Sequence, residues 1–299
     1  MQFIRFFILF FTMALFVMNV MSQLINVSSS LLLETDHTGG FRGTGVSFAD
    51  FNGDEIDDLT FGHHAGEIRF YEGYNDETGS GFQEVTLNIL IPQTEVKAVL
   101  WADIDNDGDQ DLFVANRLSR NKIWRNDGNM EFTDITSVSG ISLNPETKSY
   151  GASFGDYDND GFLDLYICNF HNLVLNFENE LYHNNGDGTF TDVTAISGVG
   201  NGVQQSFQST WIDIDKDGFQ DLHVINDRVN HLNSFYHNNG DGTFTDFAPS
   251  WELDISICAM TSSFSDYDRD GDMDLYVTNC DAPNYLLRND LNTSGVFEE

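Results

Sequence analysis

One ten-residue pattern recurs along the chain and limits its fold more than any other feature. It reads DYDNDGFLDL at residues 156–165, and further copies begin at Asp50, Asp103, Asp213 and Asp266. Successive copies are therefore 53, 53, 57 and 53 residues apart. A fixed period of this size indicates an array in which one supersecondary unit is repeated.

The pattern has the acidic residues of a cation-binding loop. Aspartates occupy positions 1, 3, 5 and 9, counted from the first aspartate, and only position 3 of the first copy differs, as Asn52. So many carboxylates repel each other unless they surround a cation, and ligands that are all oxygen select a hard one. A backbone carbonyl at position 7 would add a fifth ligand. The sequence therefore predicts up to five calcium ions; the opposing hypothesis is a set of solvated turns that bind nothing.

We number the loops 1 to 5; they span residues 50–58, 103–111, 156–164, 213–221 and 266–274. The predicted metal ligands are Asp50, Asn52, Asp54, Ile56, Asp58, Asp103, Asp105, Asp107, Asp109, Asp111, Asp156, Asp158, Asp160, Phe162, Asp164, Asp213, Asp215, Asp217, Phe219, Asp221, Asp266, Asp268, Asp270, Asp272 and Asp274.

Two positions of the loop distinguish it from other motifs. Position 6 is glycine in four copies, since a residue without a side chain can take the positive φ that curls the loop round an ion. Loop 1 has Glu55 there, so we expect a strained or weaker site. An EF-hand loop begins in the same way but needs a glutamate at position 12, where this chain has apolar residues such as Val114 and Ile167. The acid at position 9 must complete the ligand set instead.

The sequence around each loop predicts four short strands. An apolar strand with an aromatic residue such as Trp101 or Phe154 precedes the loop, and a strand that is apolar at successive positions follows it. Two further strands, such as ELYHN and FTDVT, are joined by the glycine-rich segments 186–188 and 240–242, which we interpret as hairpin turns rather than second metal sites. Antiparallel units of this period predict an all-β fold, a β-propeller of four-stranded blades with every loop on one face.

The two ends of the chain have separate interpretations. Residues 1–22 combine Arg5, an apolar run and small residues before Gln23, which is typical of a secretory signal peptide, with a membrane anchor as the alternative. Residues 23–299 form the repeat domain, in which 24–34 resemble the last strand of a repeat. Phe297 marks the start of the fifth last strand, so we expect a truncated C-terminus and a sector of a larger propeller.

Charge and cysteine content restrict the partners and the compartment. The formal net charge is −35, which five calcium ions would reduce to about −25, and only 13 Lys and Arg residues are available to contact phosphates. A nucleic acid or an anionic membrane is therefore disfavoured as a partner. Three cysteines are too few for a disulfide scaffold. A bridge between Cys258 and Cys280, on strands that flank loop 5, is left open, and Cys168 is expected to be a buried apolar residue.

The segments GASFGDYDNDGFLDLYICN, residues 151–169, and ELYHNNGDGTFTDVT, residues 180–194, resemble the FG-GAP/VCBS repeat. The chain is most similar to the repeats of cartilage-acidic-protein-like and UnbV-associated secreted proteins, and more distantly to the integrin α-subunit propeller, over residues 40–299. This resemblance implies a calcium-stabilised propeller, often of seven blades, that is secreted or on the cell surface. It also implies adhesion to a protein or glycan ligand without catalysis.

Enzymatic readings of the sequence are weaker. Residues 151–155 match the G-x-S-x-G pattern of a hydrolase, but Ser153 precedes a loop in a strand rather than a strand-to-helix turn. His183 and His237 share one repeat position with arginines in other repeats, so we interpret them as exposed strand residues rather than zinc ligands. No enzyme is predicted. The alternative function is a carbohydrate-binding module or the non-catalytic part of an extracellular carbohydrate-active enzyme.

Overall fold

The computed structural model describes residues 33, 44–62, 68–77, 79–90, 95–170 and 177–299. The fold described below is that of the unit formed by residues 36–299. The predicted signal peptide lies outside the described residues, as does the predicted strand at 24–34 apart from Leu33. None of the helices in the described segments has the length and apolar character needed to cross a bilayer.

Five four-stranded sheets follow each other along the described chain, and we call them blades 1 to 5. In every blade the four strands pair antiparallel in chain order. The strands are β1 (Val46–Ala49), β2 (Asp58–Phe61), β3 (Arg69–Asp76) and β4 (Gly79–Val85) in blade 1; β5 (Val96–Ala102), β6 (Asp111–Asn116), β7 (Lys122–Asn126) and β8 (Phe132–Asp134) in blade 2; β9 (Ser149–Gly155), β10 (Asp164–Asn169), β11 (Glu180–Asn184) and β12 (Phe190–Asp192) in blade 3; β13 (Ser206–Ile212), β14 (Asp221–Asn226), β15 (Ser234–Asn238) and β16 (Phe244–Asp246) in blade 4; and β17 (Ala259–Ser265), β18 (Asp274–Asn279), β19 (Tyr285–Asn289) and β20 (Phe297–Glu298) in blade 5.

The blades pack side by side along a row of first strands. β1 contacts β5, β5 contacts β9, β9 contacts β13 and β13 contacts β17. Consecutive four-stranded meanders that share such an inner row are the blades of a β-propeller. The predicted all-β class and propeller architecture are therefore confirmed, and the five loops all lie at the same end of the blades.

Apolar side chains between neighbouring blades form the core. Phe113 and Ile123 of blade 2, for example, pack in one cluster with Leu165 and Tyr182 of blade 3. All six residues of β10 are buried, because blades cover both faces of a second strand. Burial on both faces explains why second strands lack the polar alternation of a surface strand.

The aromatic residue of the first strand packs between blades as the pattern predicts, except at one end. Trp101 stacks on Phe51 with ring centroids 4.9 Å apart, and Phe154 meets Phe113 edge to face. Phe48 of blade 1 is 63% exposed. The aromatic contacts therefore join each described pair of blades.

Features at the rim of the blades differ in detail from the prediction. The single-turn helices α1 (Thr194–Ser197) and α2 (Ala248–Trp251) follow β12 and β16. A phenylalanine begins the last strand of blades 2 to 5, but β4 begins at Gly79 rather than at the predicted Phe82, because β3 is longer than the other third strands.

Cys258 and Cys280 form a disulfide with Cα atoms 5.4 Å apart. They lie at the residues next to β17 and β18, where the backbone N–H of Cys280 also donates to the carbonyl of Cys258. The bridge that the sequence leaves open is therefore present, and Cys168 is buried as predicted.

Candidate metal centres

Every loop has two residues in the left-handed conformation, at positions 4 and 6. Position 6 is glycine in loops 2 to 5, with φ between 90° and 99°, whereas position 4 is a residue with a side chain, such as Asn106 at 58° and Asn159 at 59°. In loop 1 the glycine is at position 4 and the residue with a side chain is at position 6: Gly53 has a φ of 77° and Glu55 a φ of 68°. Glu55 takes a positive φ that is unfavourable for a side chain, as one residue does in every other loop, so greater strain in loop 1 stays a prediction. A weaker ion site in loop 1 stays a prediction.

The aspartate at position 1 curls the loop around its own carboxylate. Asp103 Oδ1 accepts a hydrogen bond from the N–H of Asp107 at 3.1 Å, and Asp103 Oδ2 accepts one from Gly108 at 2.9 Å. Asp156 and Asp213 make the same two bonds in loops 3 and 4. The local backbone thus places the first predicted ligand at the centre of its loop.

The aspartate at position 9 begins the second strand and is buried in all five blades. Asp164 Oδ2 accepts from the N–H of Tyr157, at position 2 of the loop, and Asp164 Oδ1 accepts from the N–H of Asn184, at the end of β11, at 3.1 and 2.8 Å. The same pair of bonds recurs in the other blades. This carboxylate therefore ties the loop to the third strand.

Burial makes these carboxylates expensive to ionise. Desolvation raises the pKa of Asp58 to about 6, that of Asp111 to about 7 and that of Asp164 to about 8, although backbone N–H groups at each carboxylate act in the opposite direction. Neighbouring loop aspartates raise the pKa further. A divalent cation would offset both the desolvation and the repulsion.

Predicted ligands from three positions converge in loops 2 and 3. One carboxylate oxygen each of Asp103, Asp105 and Asp111 lies within 4.8 Å of the other two, and the corresponding oxygens of loop 3 do the same. Oδ1 of Asp105 and Oδ1 of Asp266 are buried without a hydrogen-bond donor. Buried acceptors that lack a donor indicate a missing positive partner, and a set made only of oxygens fits a hard divalent cation. Calcium itself stays a prediction that this geometry favours.

Position 7 packs two loops onto the neighbouring hairpin. The ring of Phe162 lies so close to Gly186 that a Cβ at that glycine would be 2.7 Å from the ring, and Phe219 and Gly240 repeat the contact at 2.9 Å. Gly186 and Gly240 also have φ of 72° and 71°. The glycine-rich segments are turns, as predicted, and glycine is needed there both for backbone conformation and for space.

The side chain at position 4 links loops 2, 3 and 4 each to the following loop, which the sequence did not predict. Asn106, Asn159 and Lys216 each donate to the backbone carbonyl at position 6 of the following loop, at 2.9, 2.9 and 2.6 Å. We call this contact the loop latch. Gly53 cannot make it, and a cavity of about 360 Å³ lies between loops 1 and 2, lined in part by Gly53 and Gly108.

In calcium the Gly53→Asn variant is expected to be more stable than the Gly53→Ala variant by about 0.5–1.5 kcal/mol, the contribution of one hydrogen bond. Asparagine tolerates the φ of 77° at this residue. Its side chain would reach the carbonyl of Gly108, as Asn106 reaches loop 3. The measurement is the urea midpoint at an unchanged m-value. Gly53→Ala is the matched control, and an equal effect of the two substitutions would contradict the latch.

Two histidines lie against the loops. His183 Nδ1 is 3.2 Å from Asp158 Oδ2 and 3.3 Å from Asp164 Oδ1, and His237 Nδ1 is 3.0 Å from Asp221 Oδ1. Their side chains are only 28% and 19% exposed. The prediction of exposed strand residues is therefore half right: both lie on third strands, but their imidazoles face the loop carboxylates. The sequence did contain a signal for this contact: both histidines occupy the same position of the repeat relative to the loop.

The calcium-free protein is expected to lose stability as pH rises from about 5 to about 8. The pKa of Asp111 and of Asp164, about 7 and about 8 in the folded protein, lies above the unfolded value of about 3.9. Between these values the folded state binds more protons, so the free energy of unfolding falls with rising pH.

This trend is measurable as the melting temperature of protein stripped of calcium by a chelating resin, at pH 5, 6.5 and 8. In millimolar calcium the melting temperature should not fall over the same pH series. A melting temperature of the stripped protein that rises over this range would contradict the raised pKa of the position 9 carboxyls.

Ser153 lies inside β9, and its Oγ is 2.7 Å from Oγ of Ser209 in the next blade. This strand interior has none of the strand-to-helix geometry of a hydrolase nucleophile.

Comparisons with known proteins agree with the repeat pattern. The sequence model of the FG-GAP-like repeat family matches residues 50–114, 103–167, 173–224 and 213–277. Cartilage acidic protein 1 of Homo sapiens is 31% identical over 135 residues, and that of Xenopus tropicalis 29% over 133 residues. Each match covers 42% of this chain and 20% of the relative, so the matched segment spans about a fifth of these proteins.

Among solved structures, the chain is similar to BBS1N in complex with ARL6DN, with a TM-score of 0.49, 10% identity and coverage of 84% of this chain and 70% of the other. It is also similar to the Nup170 N-terminal domain of Chaetomium thermophilum in complex with Nup53, with a TM-score of 0.40, 9% identity and coverage of 82% and 40%.

Proposed function

Because the chain belongs to the FG-GAP-like repeat family, we propose that it is an extracellular binding module in which calcium organises the blades. The loop face, with the connections beside it, would meet a protein or glycan partner. The role of the ion is structural, and no catalytic step is assigned to the chain.

The observation that carries this proposal is the carboxylate at position 9, which is buried in all five blades beside further loop acids. A buried carboxylate without a positive partner destabilises a fold, because its desolvation is not offset. Five buried carboxylates in register have a common explanation if each loop holds a cation. The orphaned Asp105 Oδ1 supports the same conclusion.

Loop 2 illustrates which residues would hold the ion. Asp103, Asp105, Asp107 and Asp111 would supply carboxylate oxygens and Asp109 its backbone carbonyl. Bound calcium would add to the positive charge of Arg125, whose guanidinium attracts Asp105 and Asp111. The chain itself connects this site to the blade, since Asp111 Oδ1 accepts a hydrogen bond from the N–H at the end of β7 at 2.7 Å.

Three features support an extracellular location. Residues 1–22 are typical of a signal peptide. The disulfide between Cys258 and Cys280 suits an oxidising compartment. Part of the chain is similar to cartilage acidic protein 1, a relative of which it spans only a fifth. Secretion or display on the cell surface is therefore proposed together with the calcium role.

The negative charge of the protein limits the kinds of partner that can bind the loop face. The five acidic loops lie at one end of the blades, and even with five calcium ions the formal charge of −35 would only fall to about −25. A protein surface rich in Lys and Arg would complement this face, whereas a sulfated or otherwise anionic glycan would be repelled.

Calorimetric titration of calcium-stripped protein with calcium tests the ion role. We expect saturable binding of up to five ions. Surface-immobilised protein, probed with neutral glycans, anionic glycans and basic extracellular proteins in calcium and in chelator, tests the partner. Absence of calcium binding would overturn the proposal, and binding confined to anionic glycans would overturn its partner class.

A further inference from the structure

We propose that loops 3 and 4, unlike loops 2 and 5, also accept a divalent transition metal such as Zn²⁺ in place of calcium, with His183 and His237 as nitrogen ligands. The inference rests on the proposed function in one respect, namely that the loops are cation sites. It adds a selectivity that differs between blades of one propeller.

The imidazole at loop 3 faces two loop carboxylates, and at loop 4 His237 Nδ1 shares a hydrogen bond of 3.0 Å with Asp221 Oδ1. His183 Nδ1 is buried and has no hydrogen-bond partner, although it lies 3.2 Å from Asp158 Oδ2 and 3.3 Å from Asp164 Oδ1. The two oxygens are near enough but wrongly directed for hydrogen bonds. Ligand atoms about 2.0–2.2 Å from one zinc ion are separated by roughly 3–3.5 Å. The observed separations are compatible with atoms that share a metal.

Acids of the same loops complete the two clusters. Ligand atoms of His183, Asp158 and Asp160 lie within 4.8 Å of one another, and those of His237, Asp215 and Asp217 do the same. Imidazole with carboxylate suits zinc and other transition metals, whereas calcium prefers a shell made only of oxygen. One nitrogen donor per cluster thus shifts the preference of these loops.

Blades 2 and 5 provide an internal comparison at the same repeat position. Arg125 stands there in blade 2, and its guanidinium pairs with Asp127 at 2.5 Å, two residues along the strand. In blade 3 the residue that corresponds to Asp127 is Asn185, whose side chain donates to Thr189 Oγ1 at 2.9 Å. Blade 5 repeats the first arrangement and blade 4 the second.

The two arrangements have different consequences for the loop. The arginine is held by an anion outside the loop and adds no donor atom to it, since guanidinium is not a metal ligand. In the two blades with histidine at this position, the aspartate that would hold an arginine is an asparagine, and its side-chain amide donates to a threonine instead. The exchange of both residues together leaves the imidazole directed at the loop carboxylates.

The test is a zinc titration of the full chain in calcium-saturated buffer, followed by calorimetry and by ¹⁵N NMR of the histidine rings. We expect two zinc equivalents and a shift of the Nδ1 resonances of His183 and His237. His183→Gln and His237→Gln should each weaken one of the two sites by more than about tenfold, because loss of an outer-shell partner alone already costs that much. Arg125→Gln, the matched control, should retain both sites.

The outcomes separate this inference from the proposed function. Calcium binding without zinc uptake, or zinc uptake that both histidine variants retain, would overturn the inference and leave the calcium role intact. Absence of both calcium and zinc binding would overturn both. Melting temperatures in calcium identify a variant that fails to fold; His183→Asn, which has a shorter side chain, then replaces His183→Gln with the same expected loss of one site.

Discussion

Removal of calcium is expected to lower the melting temperature of the protein by about 15 °C. A site held at ten times its dissociation constant stabilises the folded state by about 1.4 kcal/mol, so five sites contribute about 7 kcal/mol. This is comparable to the whole stability of a domain. A domain of this size shifts by roughly 2 °C for each kcal/mol.

Differential scanning calorimetry in millimolar calcium and in excess chelator gives the measurement. Magnesium at the same concentration is the control, because it demands a rigid octahedral shell and should replace little of the loss. Identical melting curves in calcium and chelator would show that the loops are turns without a structural ion.

Asp164→Ala is expected to destabilise the calcium-loaded protein by roughly 3–5 kcal/mol. The substitution removes the acceptor of two backbone N–H groups, those of Tyr157 and Asn184, and leaves both buried. It also removes a predicted ligand of loop 3. Urea unfolding in calcium measures the change.

The same variant in chelator separates the two causes. Without calcium the wild-type protein itself carries the cost of the buried Asp164 carboxylate, so the difference between variant and wild type should shrink. Glu146→Ala, at an exposed acid, is the control and should change stability by less than about 0.5 kcal/mol. An equal loss in calcium and chelator would show that Asp164 only anchors the backbone and does not bind the ion.

The blades could be predicted from the sequence because their determinants are local. A strand, a loop with glycine at position 6 and a hairpin such as 186–188 each follow from neighbouring residues, and the period then repeats them. The apolar character of both faces of β10 indicated covering blades in the same way. These features needed no knowledge of how one blade is rotated against the next.

The contacts that the sequence missed depend on that rotation. Asn184 Nδ2 donates to the carbonyl of Ile104, 80 residues earlier in the chain, at 2.8 Å. The loop latch of Asn159 spans 59 residues. The alternation of β11 predicts that His183 points outward, yet its imidazole faces the loop. Two residues later blade 3 has Asn185, where blade 2 has the acid Asp127 that pairs with Arg125. Such contacts follow from packing between repeats, which a pattern within one repeat does not encode.

The loop latch also makes the row of blades directional. Each loop from the second to the fourth donates to its successor. If an ion orders one loop, that loop presents a fixed carbonyl to the donor of the preceding loop, and order would propagate along the row. Nearest-neighbour coupling of this kind makes an array open cooperatively. Gly53 has no side chain to make this contact, so we expect that an ion in loop 1 would exchange independently of ions in loops 2 to 5.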